Sequence, residues 1–180
     1  MIQINVVSRI NEDKNFFFDL LFAIYKLREK NINDFHLLFI GDLLSKTVYQ
    51  DMVRLINLFD IADNISFTGK SIRLSELSEV VRDGYFFNFT IGNFMGFSGI
   101  ESINLNHKTI FYNTDKNLVE STRRSPSMCP DVSSLISLLI NLKNAPKEME
   151  QRIIEDNLKT KNDFLLSDND NSFLRSILFR

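Results

Sequence analysis

The sequence predicts an α/β domain built on one parallel sheet with helices on both faces. Three observations predict it. Short apolar runs recur at Ile2–Val7, 36–40, Ile65–Phe67, Tyr85–Phe89 and Lys108–Tyr112, each bounded by turn formers. Between them lie longer stretches with apolar residues at helical spacing. The connections are short, and no internal repeat, low-complexity tract or linker interrupts the alternation.

Residues 2–7 read as the first strand, apolar enough to be covered on both faces. The polar loop 8–14 follows, and Asn15 can cap a helix that runs to about Lys30, with Phe17, Leu20, Leu21, Ile24 and Leu27 at helical spacing. Asn31 to Asp34 breaks it, and the strand at 36–40 closes on Gly41-Asp42. A helix over about 46–59 puts Tyr49, Met52, Val53, Ile56 and Phe59 on one face. A turn at 60–64 leads to the third strand and the loop Thr68-Gly69-Lys70-Ser71. Leu74, Leu77, Val80 and Val81 mark a short third helix that ends at Asp83-Gly84. After the fourth strand come a glycine loop, a helix over about 97–105 and the fifth strand. Residues 113–128 are polar and read as irregular. Pro130-Asp131 opens a helix carrying Val132, Leu135, Ile136, Leu139 and Ile140 on its face. Pro146 suits a first helical position, with Met149, Ile153, Ile154 and Leu158 continuing the pattern. A polar break at 167–171 precedes a last amphipathic piece, 172–179.

Composition narrows the function classes. At 180 residues, 44% hydrophobic and 24% charged, the chain fits one ordinary globular domain. A net charge of −2 implies no broad basic field, so no nucleic-acid partner is expected. The single cysteine, Cys129, excludes an intrachain disulfide and suits a cytosolic setting. No apolar run reaches the length of a membrane span, and residues 1–7 turn polar too quickly for a signal peptide.

In parallel sheets of this kind, ligands bind at the carboxyl ends of the strands. The loops there are 8–14, 41–45, 68–73, 90–99 and 113–115, so Arg9, Lys14, Gly69, Asn93, Gly96 and Glu101 fall on one edge. The stretch 86–101 is the most informative: a strand, a loop with Gly92, Gly96 and Gly99, then a helix opening near Ile100 and Glu101. Free N–H groups and the helix dipole make such a junction a ready anion site. Glu101 is expected on the first turn of that helix, eight positions after Asn93. On residues alone, Arg9 and Lys14 are as readily solvated charges as ligand contacts, Asn93 a turn former, and Glu101 a residue that satisfies the dipole. His36 and His107 read as structural, Arg123-Arg124 as a surface pair, and Cys129 as a partly buried inert thiol. Asp168-Asn169-Asp170 resembles a metal motif but sits in the polar break near the C-terminus.

The ordered set of motifs is recognisable. A strand followed by Arg9-x4-Lys14, a strand ending in Gly41, then Asp63-Asn64-Ile65-Ser66-Phe67-Thr68-Gly69, Asn93-x2-Gly96-x4-Glu101, Thr109-Ile110-Phe111 and Pro130-x-Val132-x2-Leu135 resemble the C-terminal, donor-binding domain of family 4-like retaining glycosyltransferases of the GT-B architecture. The resemblance runs from about Ile4 to Asn144. It implies a single Rossmann-like domain over 1–180, with its core at about 2–144 and C-terminal helices at 145–180 that pack on an N-terminal acceptor domain missing from this sequence. It implies transfer of a sugar from a nucleotide-diphosphate sugar, in bacterial surface polysaccharide or lipopolysaccharide synthesis. It implies a setting in the cytoplasm or at the inner face of the membrane, with any membrane contact made through the missing half. No metal or other cofactor is expected.

The site residues carry over position by position. Arg9 and Lys14 would hold the diphosphate and stabilise charge on the leaving nucleotide. The backbone of Gly96, Phe97 and Ser98 would cradle phosphate and sugar, and Glu101 would bind the ribose hydroxyls. Gly69, Lys70 and Ile72 would flank the base. Asn93 would face the sugar where the family pattern has Glu, keeping size and hydrogen bonding but losing a charge. That departure keeps an alternative open, a degenerate, non-catalytic nucleotide-sugar-binding or interaction module. A receiver-like domain would need an acidic cluster and a phosphorylatable Asp at its strand ends, which this sequence does not carry. A dinucleotide fold would need Gly-x-Gly-x-x-Gly where Ser8-Arg9-Ile10-Asn11-Glu12-Asp13 stands.

Overall fold

The apolar runs become the strands β1 (Ile2–Val7), β2 (Phe35–Ile40), β3 (Ile65–Phe67), β4 (Tyr85–Phe89) and β5 (Lys108–Tyr112), joined by a two-residue β6 (Met128–Cys129). This computed structural model describes residues 1–92, 96–118, 120–164, 172 and 177. The strands form one six-stranded sheet in the order β3-β2-β1-β4-β5-β6, and every pairing is parallel. The chain builds outward from β1 to β3, then returns to place β4 on the other side of β1. The carboxyl ends of β1 and β4 therefore diverge into opposite halves, which opens a crevice between them.

Helices α1 (Phe16–Glu29), α2 (Lys46–Leu58), α3 (Glu79–Arg82), α4 (Gly96–Asn104), α5 (Glu120–Arg123), α6 (Val132–Asn144) and α7 (Pro146–Phe164) fill the connections. The main core lies under α1 and α6. Phe17, Leu20, Leu21, Ile24 and Leu27 of α1 meet Ile4, Val6, Leu37, Phe39, Phe87 and Ile110 of the sheet, with Leu135, Leu139 and Leu142 of α6. Each such side chain contributes about 1.5–3 kcal/mol on burial, so this one face carries most of the stabilisation. The opposite face has smaller clusters, around Ile40, Leu74, Leu77 and Phe86 and around Ile103 and Phe111.

That opposite face explains several departures from the sequence reading. Strand β1 is apolar on one face only. On the other, Gln3 Nε2 donates to Asn5 Oδ1, and His36 bridges Gln3 Oε1 and Ser66 Oγ at 2.9 and 3.0 Å. The expected third helix is instead a 3₁₀ turn, Leu74–Glu76, and the single-turn α3. Leu77 and Ser78 between them are extended, which lets Leu74 and Leu77 reach the sheet while Val80 stays exposed. Asn15 stands at the N-cap of α1 but has a helical backbone, and its side chain makes no capping bond. Caps by side chain occur at α2 (Ser45) and α6 (Asp131). The segment expected to be irregular contains α5 and β6, both too short to show a period.

Helix α7 extends the core past residue 144. Met149 and Ile153 are buried in it. Asn157 supplies a pairing that β6 is too short to give: its Oδ1 accepts from Thr109 N at 2.7 Å and its Nδ2 donates to Thr109 O at 2.9 Å. Asp156 accepts from the Ser125 and Ser127 hydroxyls, tying α7 to the approach of β6. The expected break at 167–171 and nearly all of the piece at 172–179 lie outside the described residues.

Candidate functional site

Two neighbouring strands set the site. Beyond β1 the chain stays zipped to the end of β2: Ser8 N donates to Ile40 O at 3.0 Å, Ile10 N to Asp42 O at 2.9 Å, and Leu44 and Ser45 N to Ile10 O at 3.0 Å. The two backbones run so close at Gly41 that an added Cβ would lie 2.2 Å from Ser8 O. Gly41 is required by that approach. The loop carrying Ser8, Arg9 and Lys14 is thus held by backbone bonds rather than left to float. Within it, Lys14 Nζ donates to Ser8 Oγ at 2.8 Å, and Ser8 Oγ donates to Arg9 O at 3.2 Å. Partial burial lowers the Lys14 pKa from its ordinary value, the neighbouring Asp13 opposes the shift and Arg9 adds to it. A half-buried ammonium of this kind gains from a bound anion.

On the β4 side, Thr90 continues the ladder, donating its N–H to Tyr112 O at 3.0 Å. Asn113 Nδ2 donates to Gly92 O at 2.6 Å and holds the chain just past β4. Helix α4 begins at Gly96, whose φ of +73° is a glycine conformation. An added Cβ there would meet nothing within 4 Å among the described residues, so the position itself is open. No acidic side chain stands in its first turn.

Between the two loops lies a cleft of about 200 Å³ that Lys14, Ser8, Gly96 and Ser98 share with the aromatic wall of Phe16, Phe87 and Phe89. Among the described residues its lining holds one cation, three hydroxyls including Thr90, and no carboxylate. Lys14, Gly96 and Ser98, expected from sequence, are brought together. Phe97 stands beside them, 86% exposed, on the first turn of α4. Arg9 is exposed on the β2 side of the loop, where its charge helps the Ser71 hydrogen bonds hold the Asp42 carboxyl below the usual range. Asp42 accepts from Ser71 N at 3.1 Å and Ser71 Oγ at 2.6 Å, which fastens the loop after β3 to the same edge. Gly69 and Lys70 are exposed on that loop, and Ile72 packs on the smaller core. None of the three lines the cleft.

Glu101 is exposed and sits in the second turn of α4. The sequence placed it in the first turn, but Gly96 lets the helix start earlier than the apolar pattern shows. Its charge acts on His107 at the far end of the helix, where burial lowers the histidine pKa. Asn93 lies outside the described residues. Sequence reasoning missed Ser8 and Thr90. Their position at the ends of two adjacent strands is the signal that finds them, once the strand order is known.

A larger cleft, about 440 Å³, lies at the β6 edge among Arg123, Asp131, Ser134, Ser137 and Arg152. The N-terminus of α6 there is already capped by Asp131, which accepts from Ser134 N at 2.7 Å. Arg152 pairs with Glu148 and Arg123 donates to Lys116 O. Its charged groups have partners, so size alone does not make it the site. Cys129 beneath it is fully buried, and burial pushes its thiol up to about 12. Among the described residues no group of three or more His, Cys, Asp or Glu is placed to hold a metal ion, and no helix is long and apolar enough to cross a membrane.

At the level of sequence, no family model and no curated protein matches the chain. Solved structures do match in shape. A glycosyltransferase from Rickettsia africae superposes with a TM-score of 0.68 at 16% identity, over 99% of this chain and 48% of that one. The C-terminal domain of LpcC, a group 1 glycosyl transferase from Francisella tularensis, superposes at 0.62 and 12% identity, over 91% of this chain and 85% of that one. Its fold is that of the C-terminal domain of a GT-B glycosyltransferase. HepE from Anabaena, solved with UDP and glucose, also matches this GT-B-type domain, at a TM-score of 0.68 and 12% identity over 98% of this chain and 48% of that one. The chain therefore spans about half the length of the Rickettsia and Anabaena proteins.

Proposed function

We propose that this domain binds the nucleotide-sugar donor of a glycosyltransferase. The observation that carries the reading is the cleft at the β1–β4 divergence, where a half-buried Lys14 and the start of α4 converge with no carboxylate among the described residues to compete. Breaking the bond between sugar and diphosphate builds negative charge on the leaving group. A fixed cation and oriented N–H groups stabilise that charge in place, without a metal. In this reading Lys14 and Arg9 hold the diphosphate, and the backbone of Gly96, Phe97 and Ser98 cradles phosphate and sugar. Glu101 takes the ribose, Gly69, Lys70 and Ile72 flank the base, and Asn93 faces the sugar. Arg9 and Glu101 reach the ligand from the exposed rim.

A cleft of about 200 Å³ is smaller than the roughly 300–1,000 Å³ that encloses a whole small-molecule ligand. A second domain that closes over the edge and brings the acceptor completes the site in this reading, which agrees with structural matches about twice as long. The transfer is of the retaining type, serves bacterial surface polysaccharide or lipopolysaccharide synthesis, and takes place in the cytoplasm. Titration calorimetry against UDP-, GDP- and ADP-sugars tests the donor assignment: one of them binds, and a folded protein that binds none contradicts it. Asn93 in place of Glu favours a second reading, a binding module that has lost transfer. Asn93→Glu separates the two, because gained transfer supports lost chemistry and lost transfer supports a retuned active enzyme.

A further inference from the structure

Thr90 has a hydroxyl that the protein does not use. The residue is 5% exposed, and its Oγ1 has no hydrogen-bond partner among the described residues. Unpaired buried hydroxyls are rare because they forfeit hydration and receive nothing back. Valine has the same shape and would fill the position without that cost. The backbone does not explain the choice either, since Thr90 N already continues the ladder to Tyr112. Thr90 is one of the residues lining the switch-point cleft, with Lys14, Ser8 and Ser98, and its hydroxyl oxygen is buried at the cleft wall. Burial next to the phenyl rings of Phe16, Phe87 and Phe89 lowers the local dielectric, which strengthens any hydrogen bond made there.

We propose that Thr90 is a ligand-binding residue of this cleft, its hydroxyl donating to an oxygen of the bound diphosphate. The proposal deepens the donor-site reading and rests on it for the identity of the ligand. The polar part of the lining selects the group: among the described residues one ammonium and three hydroxyls with no carboxylate suit an anion with several acceptor oxygens, not a cation. In the absence of ligand the hydroxyl is a standing cost. The bound diphosphate removes it, so part of the affinity comes from satisfying Thr90.

The test uses Thr90→Val and Thr90→Ser in the full chain, with UDP, GDP, ADP and inorganic pyrophosphate as probes in calorimetry, and thermal melts without ligand. Thr90→Val should weaken binding by about tenfold, the usual loss for a hydrogen bond to a charged group, while Thr90→Ser stays near wild type. Without ligand, Thr90→Val should melt at or above the wild-type temperature. Equal affinity of Thr90→Val and wild type overturns the proposal, and so does a lower melting temperature for Thr90→Val, which would reveal a structural partner. Binding of pyrophosphate but of no nucleotide, with the same loss in Thr90→Val, keeps the anion contact and rejects the nucleotide-sugar reading. A folded wild type that binds none of the four probes overturns both.

Discussion

Replacing Gly41 with alanine joins the fold to the site in one perturbation. The new methyl would sit 2.2 Å from Ser8 O, 2.6 Å from Ser8 C and 3.0 Å from Arg9 N, and all three are backbone atoms. No side-chain rotation relieves a clash with backbone. Contacts under 3.0 Å are essentially never seen, so the ends of β1 and β2 must separate by about 0.8 Å or more. Overpacking of this kind costs about 1–3 kcal/mol. For a chain of this size each kcal/mol moves the melting temperature by about 2–4 °C, so Gly41→Ala should melt roughly 2–12 °C lower in scanning calorimetry. The shift displaces Ser8, which holds Lys14 at 2.8 Å, so nucleotide affinity should fall as well. A melting temperature within a degree of wild type would refute the account of how the loop is held.

Three other predictions rest on separate groups. Lys14→Ala should weaken nucleoside-diphosphate binding by about 1.5–3 kcal/mol in calorimetry. Because the Lys14 pKa is lowered, its proton leaves earlier than that of an ordinary lysine as pH rises; wild-type affinity should therefore decline on the alkaline side and Lys14→Ala should show a flatter profile. Asn157→Ala strands both Thr109 N and Thr109 O and should cost about 1–3 kcal/mol for each group left unpaired, read as a lower denaturation midpoint with unchanged slope. Cys129, buried with its thiol at about 12, should resist thiol reagents at pH 8 in the native protein and react at the rate of unfolding.

The sheet was legible because each strand from β1 to β5 is an apolar run between turn formers, and α1 buries every residue its periodicity marks, whereas α2 fully buries only Met52 and Ile56 of its five and α6 buries Leu135 and Leu139 together with the unmarked Leu138 and Leu142. Legibility failed where an element is short. Met128 and Cys129 carry no period, and the broken segment around Leu77 and Ser78 keeps helical spacing while its backbone is extended. It failed also where the start of a helix is decided by one backbone angle, as at Gly96, which moved Glu101 into the second turn. At the site, loop positions after strands were enough to bring Lys14 and Gly96 together, and the resemblance added Ser98. Thr90 escaped because nothing in a sequence marks a hydroxyl as unpartnered; only the packed strand end shows it. The partnering of Arg9 with the Asp42–Ser71 side of the edge was equally invisible, since Asp42 and Ser71 lie in different loops.

The central claim is that the β1–β4 cleft holds the donor, and backbone amide shifts on titration with a nucleoside diphosphate test it most directly. The account predicts the largest changes at Ser8, Lys14, Thr90, Gly96 and Ser98, with residues at the β6 edge unmoved. Changes centred instead on Arg123, Ser134 and Arg152 would contradict it.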